Sequence, residues 1–223
     1  GIDPKKIHVT GNIKFEALIP NDVRGKLLLE ETPMIVFGST RPGDEGPILD
    51  AVRRLRETIP ELRCVLAPRH IQRCQEVESL IRDYGIDFVK HSDIPESENE
   101  KHPFILVDTL GDLNNYYKQS DIAFVGGGFN PRFGGHNILE PAVHGQPVIY
   151  GKHMNNFEEE ANLLNQSGGG IQIKSPQALF PTLKLLLNDP KERERRAQSA
   201  AETVLANRGA LRKNFEIIKS FLS

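Results

Sequence analysis

Between Gly126 and Gly151 the chain reads GGGFNPRFGGHNILEPAVHGQPVIYG. Gly134 and Gly135 would let the backbone approach a ligand with no Cβ in the way. His136 and Asn137 stand where the pattern predicts a helix start, whose free N–H groups suit an anion. Glu140 follows Asn137 at capping-box spacing, so that pair also fits a purely local role at the helix end. Capping alone leaves Gly134, Gly135 and His136 unexplained. The chemistry these residues suggest together is recognition of a phosphate.

Three other short stretches carry comparable groups. GSTRPGDE, from Gly38 to Glu45, offers the Ser39 and Thr40 hydroxyls as ligand contacts or as helix caps. APRH brings Arg69 and His70 directly after an apolar run. The planar fork of an arginine there suits phosphate or carboxylate, and His70 either joins it or caps the helix that follows. DTLGDL places the backbone amides of Thr109, Leu110 and Gly111 at another predicted helix start. His153 and Asn156 either face the same cleft or cap the next helix. His144 reads as an exposed helix end, and Lys191 to Arg196, KERERR, as a solvated helix face.

Positioning these groups requires a regular scaffold. Strands are predicted at Met34 to Phe37, Arg63 to Ala67 and Phe88 to Lys90, then within FILVD, IAFVGGG, PVIY and GIQI. Helical spacing joins Ile48, Leu49, Val52, Leu55 and Ile59, with Pro60 as the stop. A second apolar stripe runs through Ile71, Val77, Leu80, Ile81 and Tyr84, with Gly85 as its C-cap. Short helices follow at Gly111 to Ser120 and near Asn137, and another at Phe157 to Gln166. HSDIPESENEKHP is a polar surface loop. From Ser175 the chain is helical, broken at Asp189-Pro190 and near Gly209. Alternating strands and helices predict an α/β fold, a doubly wound parallel sheet of Rossmann-like type. Ligands in such folds bind beyond the C-terminal strand ends, where all four stretches fall.

Composition narrows the class. The 223 residues are 38% hydrophobic and 26% charged, as in globular proteins, and a formal charge of -2 makes no electrostatic case for nucleic acid. The two cysteines, Cys64 and Cys74, lie in no metal-ligand spacing and read as reduced thiols. No apolar run is long enough to span a bilayer. Neither Asp-x-Asp nor HExxH occurs, so a divalent metal at a diphosphate is not indicated. The P-loop and GxGxxG patterns are absent as well. The opening GIDPKKIHVTGNIKFEALIP, without Met and rich in Pro, Gly and charge, reads as a start near a domain boundary.

VTGNIKFE, GSTRPGDE, APRH, DTLGDL with Tyr116 or Tyr117, DIAFVGGGF, GGHNILEPAVHGQPVIYG and GKHMNNFEE occur here in one order. The chain thereby resembles the 3-deoxy-D-manno-octulosonic acid (Kdo) transferases, over that family's C-terminal half. The resemblance implies the donor half of a GT-B glycosyltransferase involved in lipopolysaccharide synthesis in Gram-negative bacteria. Residues 1–25 would be interdomain linker and domain start, 26–190 the CMP-sugar-binding domain and 191–223 C-terminal helices. Such an enzyme moves Kdo from CMP-Kdo to a lipid A precursor, with inversion, without metal or other cofactor, at the cytoplasmic face of the inner membrane. The general base, a Glu, and the membrane-facing surface would lie in an N-terminal domain, leaving no catalytic residue in this chain, which alone would be soluble and inactive.

Carried over by position, Arg69 and His70 would hold the CMP phosphate, and Thr109, Leu110 and Gly111 would meet cytosine through their backbone. Asn137 would hold phosphate and Glu140 ribose, with Gly134, Gly135 and His136 wrapping the phosphate. Ser39 and Thr40 complete the nucleotide-sugar-binding set. The chain departs from the family at Arg41, where His is usual, and in a longer Gly127–Gly134 loop containing Arg132. The alternatives are a UDP-sugar-dependent GT-B domain, a non-catalytic nucleotide- or sugar-binding module, and a flavodoxin-like scaffold whose loops are only caps.

Overall fold

The computed structural model describes residues 2–3, 7–16, 32–95 and 102–222. Residues 17–31, within the expected linker and domain start, and most of the polar loop after Pro95 lie outside the described residues.

Seven strands form one parallel sheet: β1 (Met34–Thr40), β2 (Arg63–Pro68), β3 (Val89–Lys90), β4 (Phe104–Leu106), β5 (Ile122–Val125), β6 (Val148–Tyr150) and β7 (Gly170–Gln172). Their order is β3-β4-β2-β1-β5-β6-β7. Both faces are covered, which is why β1 reads as an unbroken apolar run rather than an alternation. Ile35 and Phe37 enter one core with Ile48, Leu66, Phe104, Phe124 and Leu183. Met34 and Val36 enter the other with Val65, Tyr117, Val125, Leu139, Tyr150 and Leu164.

Helices α1 (Glu45–Arg56), α2 (Cys74–Asp83) and α6 (Leu179–Asn188) cover the first face. Helices α3 (Leu113–Gln119), α4 (Leu139–Ala142), α5 (Glu158–Ser167) and α7 (Pro190–Ala206) cover the second. The amphipathic stripes fall as the spacing predicts, but the ends shift. α1 stops at Arg56, leaving Ile59 beyond it, and Ile71 lies in a 3-10 turn ahead of α2. Asp189 caps α7 by accepting from the Glu192 amide, and Pro190 starts it. Gly209, at φ 108°, separates α7 from α8 (Ala210–Leu222).

Two readings of this region need correction. Arg193, inside the expected solvated face, is buried and donates to the Leu186 carbonyl at 2.8 Å, tying α7 to the end of α6. His144 is also buried, and its Nε2 lies 2.9 Å from Asn114 Oδ1. Cys64 and Cys74 are both free and buried. The apolar side of α8 is open, with Leu211, Phe215, Ile218, Phe221 and Leu222 exposed. No described helix is long and apolar enough to cross a membrane.

Candidate functional site

The connections from β1 and β5 leave the sheet in opposite directions, so the crevice between these neighbours is the topological switch point where ligands bind. Glycines allow the two exits to touch. Gly126 N donates to Gly38 O at 2.9 Å, and a Cβ on Gly126 would lie 2.7 Å from the Ser39 carbonyl oxygen. Beyond, a Cβ on Gly128 would lie 2.8 Å from the Gly151 amide, which joins the exits of β5 and β6.

The end of β1 carries a bulge. Its register against β2 shifts between Gly38 and Thr40, and Ser39 takes a φ of 55°, a region few non-glycine residues occupy. Thr40 is turned inward and fully buried, and its hydroxyl donates to Glu45 Oε1 at 2.9 Å. Thr40 therefore supports the crevice from beneath instead of offering its side chain to a ligand. Neither Ser39 nor Thr40 caps α1, whose N-cap position is Asp44.

Asp44 was not among the predicted site residues, yet it organises the crevice. Its Oδ2 accepts from the amides of Arg41 and Gly127, each at 2.8 Å, binding the loop after β1 to the loop after β5. Burial pushes its carboxyl up to about 6, against the pull of those two amides. Glu45 is likewise buried, and its charge is met by Arg73 Nη1 at 2.6 Å; Arg73 also pairs with Glu76 at 2.9 Å.

The loop between β5 and α4 folds back over this base. Gly134 and Gly135 both have positive φ, 66° and 75°, and Gly135 N donates to Gly127 O at 3.1 Å. Their missing Cβ atoms make room for protein: Gly134 faces the Asn156 amide group and Gly135 faces the Met154 thioether. Asn156 clamps the loop, donating from Nδ2 to Phe133 O at 2.9 Å and to Gly135 O at 3.4 Å, and from its own amide to Gly134 O at 3.0 Å. Sequence offered Asn156 only as a cleft residue or a cap. Its partners, more than a turn away in a loop, left no local signal.

The clamp delivers His136 to Arg41, whose Nε donates to His136 Nε2 at 2.9 Å. Burial, with Arg41, Arg69 and His70 adding, pushes the His136 imidazole down to about 4. Arg41 Nη1 lies 2.6 Å from His70 Nε2, and its charge lowers the pKa of that exposed ring. Arg69 is exposed beside His70, with its backbone held to Thr40 O at 3.0 Å. Its guanidinium makes no ion pair among the described residues.

The predicted helix at Asn137 is shorter than expected, a single turn beginning at Leu139. Asn137 Oδ1 accepts from the Leu139 amide at 3.2 Å, and Nδ2 donates to Glu140 Oε1 at 3.2 Å. Capping is thus one role of Asn137, and it leaves Glu140 aligned and half-buried. Burial raises the Glu140 carboxyl, while Asn137 and the Arg69 charge pull it down. The Arg69, His70, His136, Asn137 and Glu140 groups therefore act electrostatically as one cluster. Thr109, Leu110 and Gly111 form a turn at the neighbouring end of β4. Leu110 is exposed, Gly111 has φ 97°, and Thr109 Oγ1 donates to Asp112 at 2.6 Å. Arg132 is exposed on the loop surface.

No protein-family model matches the chain. Curated relatives do: 3-deoxy-D-manno-octulosonic acid transferases from Haemophilus influenzae and Chlamydophila psittaci are each 35% identical over 229 aligned residues, 100% of this chain. These matches cover 53% and 52% of the relatives, so the chain spans about half their length. Among solved structures, the C-terminal CMP-Kdo binding domain of WaaA from Acinetobacter baumannii superposes with a TM-score of 0.72 at 26% identity, covering 78% of this chain and 90% of that one. A UDP co-structure of S. aureus MnaA shares the fold, with a TM-score of 0.64 at 18% identity over 100% of this chain and 55% of that one. This Rossmann-like GT-B half, with Arg41 and Arg69 at its switch point, is similar along its whole length to about half of each of these Kdo transferases, and over 78% of its length to the C-terminal CMP-Kdo binding domain of WaaA.

Proposed function

We propose that this chain is the donor-binding half of an inverting glycosyltransferase that takes Kdo from CMP-Kdo to a lipid A precursor in lipopolysaccharide synthesis. The observation that carries the reading is the cluster at the switch point. Arg69 lacks an ion pair among the described residues and stands beside His70, His136 and the Asn137–Glu140 pair. A CMP-sugar presents a single phosphate, which one such cluster can hold. The 35% identical relatives and the CMP-Kdo binding domain from Acinetobacter baumannii support the choice of donor.

In this reading Arg69 and His70 hold the phosphate, and Asn137 adds a side-chain amide to it. Glu140 accepts from the ribose hydroxyls, and the Thr109–Leu110–Gly111 backbone meets the cytosine edge. The acceptor hydroxyl attacks the anomeric carbon of Kdo from the face opposite CMP. The bond from that carbon to the phosphate oxygen breaks, and CMP leaves with the electron pair. The acceptor's proton passes to a carboxylate outside this chain. Charge grows on the phosphate as the bond breaks, so fixed guanidinium and N–H donors stabilise the transition state without needing a metal.

We also assign residues 1–25 to an interdomain linker and the start of the domain, 26–190 to the nucleotide-binding domain and 191–223 to C-terminal helices. The acceptor, the general base and the contact with the cytoplasmic face of the inner membrane then belong to the N-terminal half of the complete enzyme. Backbone NMR of the labelled chain during titration with CMP tests the reading. Shifts should concentrate at Arg69, Gly111, Gly127 and Asn137 to Glu140. Shifts confined to other loops would overturn it.

A further inference from the structure

Arg41 sits in the crevice between the two imidazoles, with Nε 2.9 Å from His136 Nε2 and Nη1 2.6 Å from His70 Nε2. The Phe133 ring centroid lies 5.0 Å from its guanidinium carbon. A guanidinium can only donate hydrogen bonds, so both Nε2 atoms must be acceptors and each ring carries its proton on Nδ1. Two loops from different strands thus meet on one cation and fix its plane.

That cation has no carboxylate partner among the described residues, since Asp44 reaches only the backbone amide of Arg41. Arg73, by contrast, is neutralised by Glu45 and Glu76. The groups facing Arg41 are Asp44 from its own loop, Arg69, His70 and Arg73 from the segment after β2, and His136 from the loop after β5. A half-buried guanidinium held beside a second unpaired one is poised for an anion, and its remaining N–H donors suit phosphate oxygens.

We propose that Arg41 is a phosphate-binding residue of the nucleotide site, held in place by His70 and His136 as neutral positioning residues. This rests on the donor-site reading above and changes the histidines' role: they orient the cation rather than supply charge. The affinity gained from the phosphate then comes chiefly through Arg41 and Arg69.

The test compares CMP with cytidine by calorimetry, in the wild-type chain and in Arg41→Met and Arg41→Lys. The wild type should bind CMP more tightly than cytidine. Arg41→Met should lose about 10- to 100-fold of CMP affinity while cytidine binding stays unchanged, and Arg41→Lys should recover part of the loss. A wild type that fails to prefer CMP to cytidine would overturn the donor-site reading itself. A CMP preference left undiminished by Arg41→Met would overturn only the role of Arg41. Long-range proton–nitrogen spectra of the wild type give a check that needs no variant. Both histidines should show the Nδ1–H tautomer, and the Arg41 side-chain signals should move with CMP but not with cytidine. An Nε2–H tautomer at either ring, or unmoved Arg41 signals, would contradict the inference.

Discussion

The hydroxyl of Tyr117 fills the space in which Gly38 would carry a Cβ, with Tyr117 Cζ only 2.6 Å from that position. Tyr117 is fully buried beneath the end of β1, and its hydroxyl finds no hydrogen-bond partner among the described residues. The contact fixes the height at which β1 emerges into the crevice. Gly38→Ala should therefore destabilise the chain by about 1–3 kcal/mol or more, through forced movement of the strand or ring. Tyr117→Phe removes a hydroxyl that forms no described bond, so it should leave stability within about 1 kcal/mol of wild type or raise it. Urea unfolding of both variants provides the comparison. A tolerated Gly38→Ala beside a strongly destabilised Tyr117→Phe would contradict this arrangement.

Asp44 and His136 should oppose each other in the pH dependence of stability. The Asp44 carboxyl rises from 3.8 to about 6 on folding, so between those values the folded state binds more protons and stability falls as pH rises. The His136 ring drops from 6.5 to about 4, so over nearly the same window the unfolded state binds more protons and stability rises with pH. Asp44→Asn keeps an acceptor for the Arg41 and Gly127 amides while removing the titration. Relative to wild type, its stability should climb more steeply from about pH 4 to pH 6. His136→Gln should shift the slope the opposite way. Denaturation series across that range decide the matter, and parallel curves for wild type and Asp44→Asn would refute it.

Asn156 offers a way to loosen the glycine loop without touching a proposed ligand contact. Its side chain bonds Phe133 O and Gly135 O, and Lys14 Nζ donates to its carbonyl at 3.0 Å. Asn156→Ala should cost about 1 kcal/mol in stability. It should also lower hydrogen-exchange protection at Gly135 and weaken CMP binding, because His136 is no longer delivered to Arg41. Unchanged protection at Gly135 would mean that the Gly127 bond alone holds the loop.

The sheet was legible because strands buried on both faces appear as apolar runs such as MIVF and IAFV. The glycine loop and the clusters after β1, β2 and β4 were legible because each follows such a run directly. Asp44 was not, since its partner Gly127 lies 83 positions away and a carboxylate in a turn looks solvent-facing. His144 escaped for the same reason, its partner Asn114 being 30 positions distant. Arg193 sat among charges whose pattern suggested a solvated face, and only its approach to the end of α6 explains its burial. Asn137 was legible as a cap, a role its bond from the Leu139 amide bears out, while its second bond, to Glu140 three positions on, follows the capping-box spacing.

The most direct test of the central claim is parallel calorimetric titration of the chain with CMP and UDP, repeated on Arg69→Ala and Asn137→Ala. The account predicts that CMP binds more tightly than UDP and that either substitution lowers CMP affinity by about tenfold or more. A preference for UDP, or CMP binding that survives both substitutions unchanged, would contradict it.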